Sequence, residues 1–171
     1  MLAEMPSSHG PSFLVEFKDL DDELRFLRKV VTEFRAMPQI RDLALDIIRK
    51  AAIESRDKKG QALAVANWVK QNIYYVHELP ERFQYPNDTL RSRAGDCDDF
   101  TTLIGSLIES IGIPSVMVAM KPRFSFKHIF PAARIGAGML SLDATNRFGV
   151  NVNPIDYTRQ RGNTSVRVKL A

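Results

Sequence analysis

Apolar residues recur at helical spacing through the first half of the chain. Leu20, Leu24, Leu27, Val31 and Phe34 fall at alternating four- and three-residue steps and form one stripe of a helix. Asp19 stands where an N-cap belongs, and Asp22 and Glu23 occupy the first turn, where the positive helix end favours carboxylates. Pro38 ends or restarts that helix. Ile40, Leu43, Ala44, Ile47, Ile48 and Ala51 make a second stripe, and SRDKKG (55–60) is a polar break. A third helix is predicted over about 61–73, with Leu63, Ala66, Val69 and Ile73 on one side. Residues 77–95 hold two prolines and little period, so they read as a long loop, a kind that is usually functional in a compact domain. Helical spacing returns over 97–112 with Leu103, Leu107 and Ile111, and Gly112 and Pro114 stop it.

Beyond residue 114 the period changes. SVMVAM (115–120), FKHIFPAARI (126–135) and GMLSLDAT (138–145) are rich in β-formers, and the GAG at 136–138 reads as a hairpin turn. SVRVKL (165–170) alternates as a last strand. The order predicts an α+β protein, helices first and then an antiparallel sheet. Its expected divisions are a loose polar arm at 1–12, helices over 13–60, a core over 61–146 and a basic tail over 147–171 with the final strand.

Composition narrows the function classes. The 171 residues, 44% of them apolar, suffice for one domain with a real core. The longest apolar run, IGIPSVMVAM (111–120), is too short to span a membrane. The first ten residues lack the basic start and apolar run of a signal peptide, and the single cysteine forms no internal disulfide. Both point to a cytoplasmic protein. Net charge is +4, unevenly placed: residues 121–171 carry nine Lys and Arg against two Asp and Glu. That excess admits an acidic partner, but its basic residues are not interleaved with stacking aromatics, so a nucleic-acid role is the weakest reading.

The one cysteine, Cys97, lies in RAGDCDDF (93–100), directly after Asp96 and before Asp98 and Asp99. It falls at the start of the 97–112 helix, where unpaired N–H groups and the helix dipole stabilise a thiolate and offer oxyanion donors. The aspartates cap the same end, and Gly95 permits a turn there. Like charge opposes ionisation of the thiol, so Cys97 needs a basic partner. Of three histidines, His9 is in the arm and His77 in the long loop, where a surface role is the plainer one. His128 is on a predicted strand, where a lone histidine is more often structural. One hairpin later comes Asp143, which neighbouring strands can bring to it. Cys97, His128 and Asp143 then supply nucleophile, base and orienter.

In order, WVKQNIYYV (68–76), GDCDDFTTLIGSLIESIGIPS (95–115), KHIF (127–130) and LDAT (142–145) resemble the transglutaminase-like superfamily of cysteine enzymes, over roughly residues 62–146. The resemblance implies a papain-like cysteine hydrolase core, with the nucleophile helix packed on the antiparallel sheet. It implies Cys97 as nucleophile, His128 as base and acid, and Asp143 as orienter. Tyr75, with Tyr74 beside it, matches a position that helps the oxyanion hole. Asp96 is a further contact candidate. Phe130 stands where the family often has Trp or Tyr. The reaction implied is acyl transfer or hydrolysis at a protein or peptide amide, with no cofactor.

Two rivals accompany this reading. Asp96, Asp98, Asp99 and Cys97 offer metal ligands, but the spacing is neither that of a calcium loop nor of a zinc site, so no metal is expected. The segments RAGDCDDFTTL and HIF…LDAT also resemble, more loosely, small proteins of phages and prophages. There the fold would serve as a virion or assembly part, docking on other phage structural proteins through the arm, helices 19–54 and the basic tail. Solvent access to Cys97 discriminates the two: an open site argues for chemistry.

Overall fold

The computed structural model of the protein describes residues 3–7, 10–14, 16–77, 82–121, 127–156 and 167–171. Among these residues, five helices and nine strands follow one another. Strands β1 (Ala3–Ser7) and β2 (Gly10–Leu14) form a hairpin, and β2 pairs with β4 (Arg82–Phe83). The stretch expected as a loose arm is therefore mostly strand. The hairpin is local, but its further support, β4 against Phe13 and Leu14, lies some seventy residues on, and a local polarity pattern carries no trace of that pairing. His9 lies outside the described residues.

Helices α1 (Leu20–Phe34), α2 (Pro38–Lys50) and α3 (Lys58–Asn72) lie where the periodicity puts them. Asp19 caps α1, its Oδ1 accepting from the N–H of Asp22 at 2.9 Å. Helix α3 starts three residues before the predicted position, because Asp57 inside the charged break caps it through the N–H of Gly60. The segment read as a long loop holds β4, a short helix α4 (Pro86–Ser92) and β5 (Ala94–Gly95). Pro86 at the first turn of α4 was its only local cue. Residues 78–81 are outside the described set. Strand β3 (Tyr74–Tyr75) pairs in parallel with β5, Tyr75 opposite Gly95.

Helix α5 (Cys97–Ser110) is the centre of the molecule. Phe100, Leu103, Ile104, Leu107 and Ile108 are all 2% exposed or less, and so are Thr101, Thr102 and Ser106 between them. A helix buried on every face must be wrapped. Helices α1 to α4 pack against it, and so does the strand over His128–Ile135. Gly112, at φ +78°, lets the chain leave α5 through a conformation that side chains resist. Strands β6 (Ser115–Lys121), β7 (His128–Ile135), β8 (Gly138–Ser141) and β9 (Arg167–Leu170) make an antiparallel sheet in the order β8-β7-β6-β9. Gly136 and Ala137 form the turn, with Ile135 opposite Gly138. The α+β plan holds. The tail closes the sheet, its last residue, Ala171, exchanging two hydrogen bonds with Met117.

Candidate active site

The start of α5 is built by reciprocal capping. Asp96 Oδ1 accepts from the N–H groups of Asp98 (3.0 Å) and Asp99 (3.4 Å), while Asp99 Oδ2 accepts from the N–H of Asp96 at 3.1 Å. The second oxygen of Asp99 accepts from the N–H of Gln84 at 2.7 Å, which ties this turn to the segment before α4. Gly95 is needed for space rather than for a turn. A Cβ there would sit 2.8 Å from Cβ of Asp99. Capping thus accounts for two of the three aspartates, and it fixes Cys97 as the first residue of the helix.

Cys97 is partly exposed, and its Sγ lies 3.4 Å from Oδ1 of Asp98. Burial of the sulfur, together with the charges of Asp98 and Asp96, pushes the thiol well above its usual range. A backbone hydrogen bond from Ile129 pulls the other way and is outweighed. Of the two opposing effects expected at this thiol, the like charge of the aspartates, joined by burial, outweighs the helix end. Cys97 rests as a thiol.

His128 opens β7, and Asp143 lies just past β8. The two side chains meet, with Nε2 of His128 2.8 Å from Oδ2 of Asp143. The register explains the meeting. Ala132 pairs with Ser141, so the same alignment would set Asp143 opposite Phe130, one diagonal step from His128. A carboxylate only accepts, so Nε2 carries a proton and Nδ1 is the nitrogen that can accept one. Asp143 is 2% exposed and held at its other oxygen by the N–H (3.0 Å) and hydroxyl (2.7 Å) of Thr145. Thr145 is a residue the sequence reading missed. The Asp-x-Thr spacing of an Asx turn was its signal.

Tyr75 sits beside these groups, edge-on to Phe100 with centroids 6.0 Å apart. Its phenol is pushed up to about 12 by burial, then by the charges of Cys97, Asp96, Asp143 and Asp98, so it keeps its proton. Tyr74, 77% exposed, is on the outer face of the same short strand. Phe130 is 2% exposed and stacks on the His128 ring at 5.7 Å, so here it supports the imidazole rather than facing solvent. His77, also exposed, lies three residues after Tyr74. Asp96, Cys97 and Asp98 set three ligand atoms within 4.8 Å of one another, but the capping bonds already occupy Asp96 Oδ1.

A second buried charged group lies behind the sulfur. Lys127 Nζ is 2.6 Å from Oε2 of Glu23, which is 4% exposed on α1. Burial pushes the Asp98 carboxyl well up, with Asp96 and Glu23 adding to the rise and Lys127 opposing it. Burial, then Asp96, pushes Asp99 up as well, against the N–H bonds of Gln84 and Asp96.

The family model described as "Transglutaminase-like superfamily" matches residues 42–124. The match contains Cys97 and Tyr75 and stops before His128 and Asp143. No curated protein sequence matches the chain. Among solved structures, the fold is shared with a "Putative Cysteine Protease from Cytophaga hutchinsonii", with TM-score 0.58 and 22% identity over 92% of this chain. It is also shared with a "Putative Protease from Parabacteroides distasonis", with TM-score 0.57 and 14% identity over 72% of this chain. This chain spans 58% of the first protein and 26% of the second.

Proposed function

From the premise that residues 42–124 belong to the transglutaminase-like superfamily, we propose a cysteine enzyme that performs acyl transfer or hydrolysis at a protein or peptide amide. The observation that carries the reading is the His128–Asp143 hydrogen bond at 2.8 Å, on the strand whose Ile129 donates to the Cys97 sulfur. An imidazole oriented by Asp143 next in the chain to the peptide that touches the nucleophile supports pairing Cys97 with His128.

The chemistry follows from the resting thiol. As Sγ attacks the amide carbonyl carbon, its proton passes to Nδ1 of His128 and the carbonyl electron pair moves onto oxygen. Asp96 already takes the N–H groups of Asp98 and Asp99, so in this reading the N–H of Cys97 and the protonated phenol of Tyr75 are the donors to that oxygen. Asp143 stabilises the imidazolium. The Nδ1 proton then goes to the departing amine, the C–N bond breaks, and a thioester on Cys97 remains. Water resolves it to an acid, or a second amine resolves it to a new amide.

The test is the pH profile of Cys97 alkylation by iodoacetamide, in the native protein and in His128→Ala. A native profile that follows an imidazole titration, with alkylation at pH 7 slowed at least about tenfold in the variant, is expected. Identical profiles in both proteins, each following a free or raised thiol, would overturn the reading.

A further inference from the structure

The edge of β7 facing Cys97 is short of a strand. Pro131 accepts from the N–H of Leu142, the last such bond as β8 ends at Ser141. Backbone groups alternate between the two edges of a strand. Ile129, two residues before Pro131, therefore turns its N–H and C=O to this same edge, past the end of β8. Ile129 is 0% exposed, so both groups need partners other than water. Helix α5 supplies them. The N–H goes to the Cys97 sulfur, and the C=O accepts from Oγ1 of Thr101 at 3.2 Å. The same hydroxyl is 2.7 Å from the C=O of Cys97. Thr101 is itself 1% exposed.

We propose that Thr101 is a positioning residue of the reaction, its one hydroxyl proton shared in a three-centre bond between the carbonyls of Cys97 and Ile129 and so fixing the nucleophile against His128. The inference rests on the Cys97–His128 reading above and deepens it. A threonine inside a helix often bonds only to the carbonyl four residues back. Here that carbonyl belongs to the nucleophile, and the second acceptor belongs to the residue after the base. Loss of the hydroxyl leaves a buried strand carbonyl unpaired, which the strand can relieve only by moving off the helix. Ile129 N–H then moves off the sulfur, and His128 moves with it.

The experiment compares Cys97 alkylation against pH in the native protein, Thr101→Val, Thr101→Ser and His128→Ala, with thermal melts of each. Valine keeps the shape and removes the hydroxyl; serine keeps the hydroxyl. The expected result is alkylation about tenfold slower at pH 7 in Thr101→Val, with the imidazole-dependent limb weakened, since displacements near 1 Å cost up to about a hundredfold. Thr101→Ser restores the native profile. A Thr101→Val protein that melts lower but keeps the native profile would overturn the inference and leave a plain structural hydrogen bond. Should Thr101→Val fail to fold, Thr101→Ala at reduced temperature is read by the same criteria. A native profile indistinguishable from His128→Ala would instead sink the functional reading itself.

Discussion

At the scale of single residues, the site is governed by which charges a buried sulfur can see. Asp96 illustrates this, because it has two separable effects. Its carboxylate caps α5, and its charge holds the thiol up. Asparagine caps a helix as well as aspartate does, whereas alanine does not. Asp96→Asn should therefore leave the thermal midpoint nearly unchanged and speed Cys97 alkylation at neutral pH. Asp96→Ala should cost about 1 kcal/mol of stability by denaturant titration. Cys97 and its cap were legible in DCDD because capping is local. The opposition of like charge was legible there too; the burial that adds most to the thiol's rise was not, since it depends on tertiary packing. Thr145 makes the same point for Asp143. Thr145→Val removes the hydroxyl bonded at 2.7 Å and should lower turnover on an activated amide while sparing the melting temperature. A loss of stability with unchanged turnover would deny Thr145 that part.

At the scale of elements, the periodic helices were readable and the pairings between distant segments were not. Helices α1 and α2 match their stripes because each buries one face, so polarity alternates along the chain. Helix α5 buries all faces, so its stripe of Leu103, Leu107 and Ile111 shows only part of what is covered. The pairing of β2 with β4 and the parallel pair β3–β5 depend on partners outside their own stretch of chain. The His128–Asp143 meeting was legible because one two-residue turn governs it. The edge left open at Ile129 was not, because it follows from where β8 stops.

At the scale of the whole molecule, part of the basic excess in residues 121–171 is met internally. Lys127 pairs with Glu23, and Lys169 pairs with Asp21, both acids lying in the first turn of α1. The exposed Lys169 pair is worth little, but it shows the tail facing a helix of its own chain. No helix among the described residues is long and apolar enough to cross a membrane.

A deeper electrostatic anchor joins α1 to the far end of α5. Glu109 accepts at both oxygens from Nη2 of Arg28 at 2.6 Å, from Arg35 at 3.0 Å and from the hydroxyl of Ser115 at 2.6 Å. Burial would raise its pKa, yet the hydrogen bonds from Arg28 and Ser115 hold it below 4.5. A depressed folded value contributes stability that is fully present above the unfolded value and is lost as pH falls through the folded one. Asp98 and Asp99, pushed up, act with the opposite sign and weaken the fold as pH rises through their values. Glu109→Gln removes only the first effect. It should cost about 1 kcal/mol at pH 7, since Arg28 and Arg35 stay partly solvated, and progressively less below pH 4.5. Urea titrations of both proteins at pH 7 and pH 3 check this; an equal gap at both would contradict it.

The last strand has a consequence for self-association. Strand β9 covers the outer edge of β6, and Ala171 continues that cover against Met117. Without residues 167–171, the backbone groups of Met117 to Lys121 along that edge would stand unpaired, beside the buried side chains of Val118, Ala119 and Met120. Such an edge is a template for another chain. Trimming those few residues should therefore turn a dispersed protein into one that aggregates in a concentration-dependent way, which light scattering would register before any change in secondary structure.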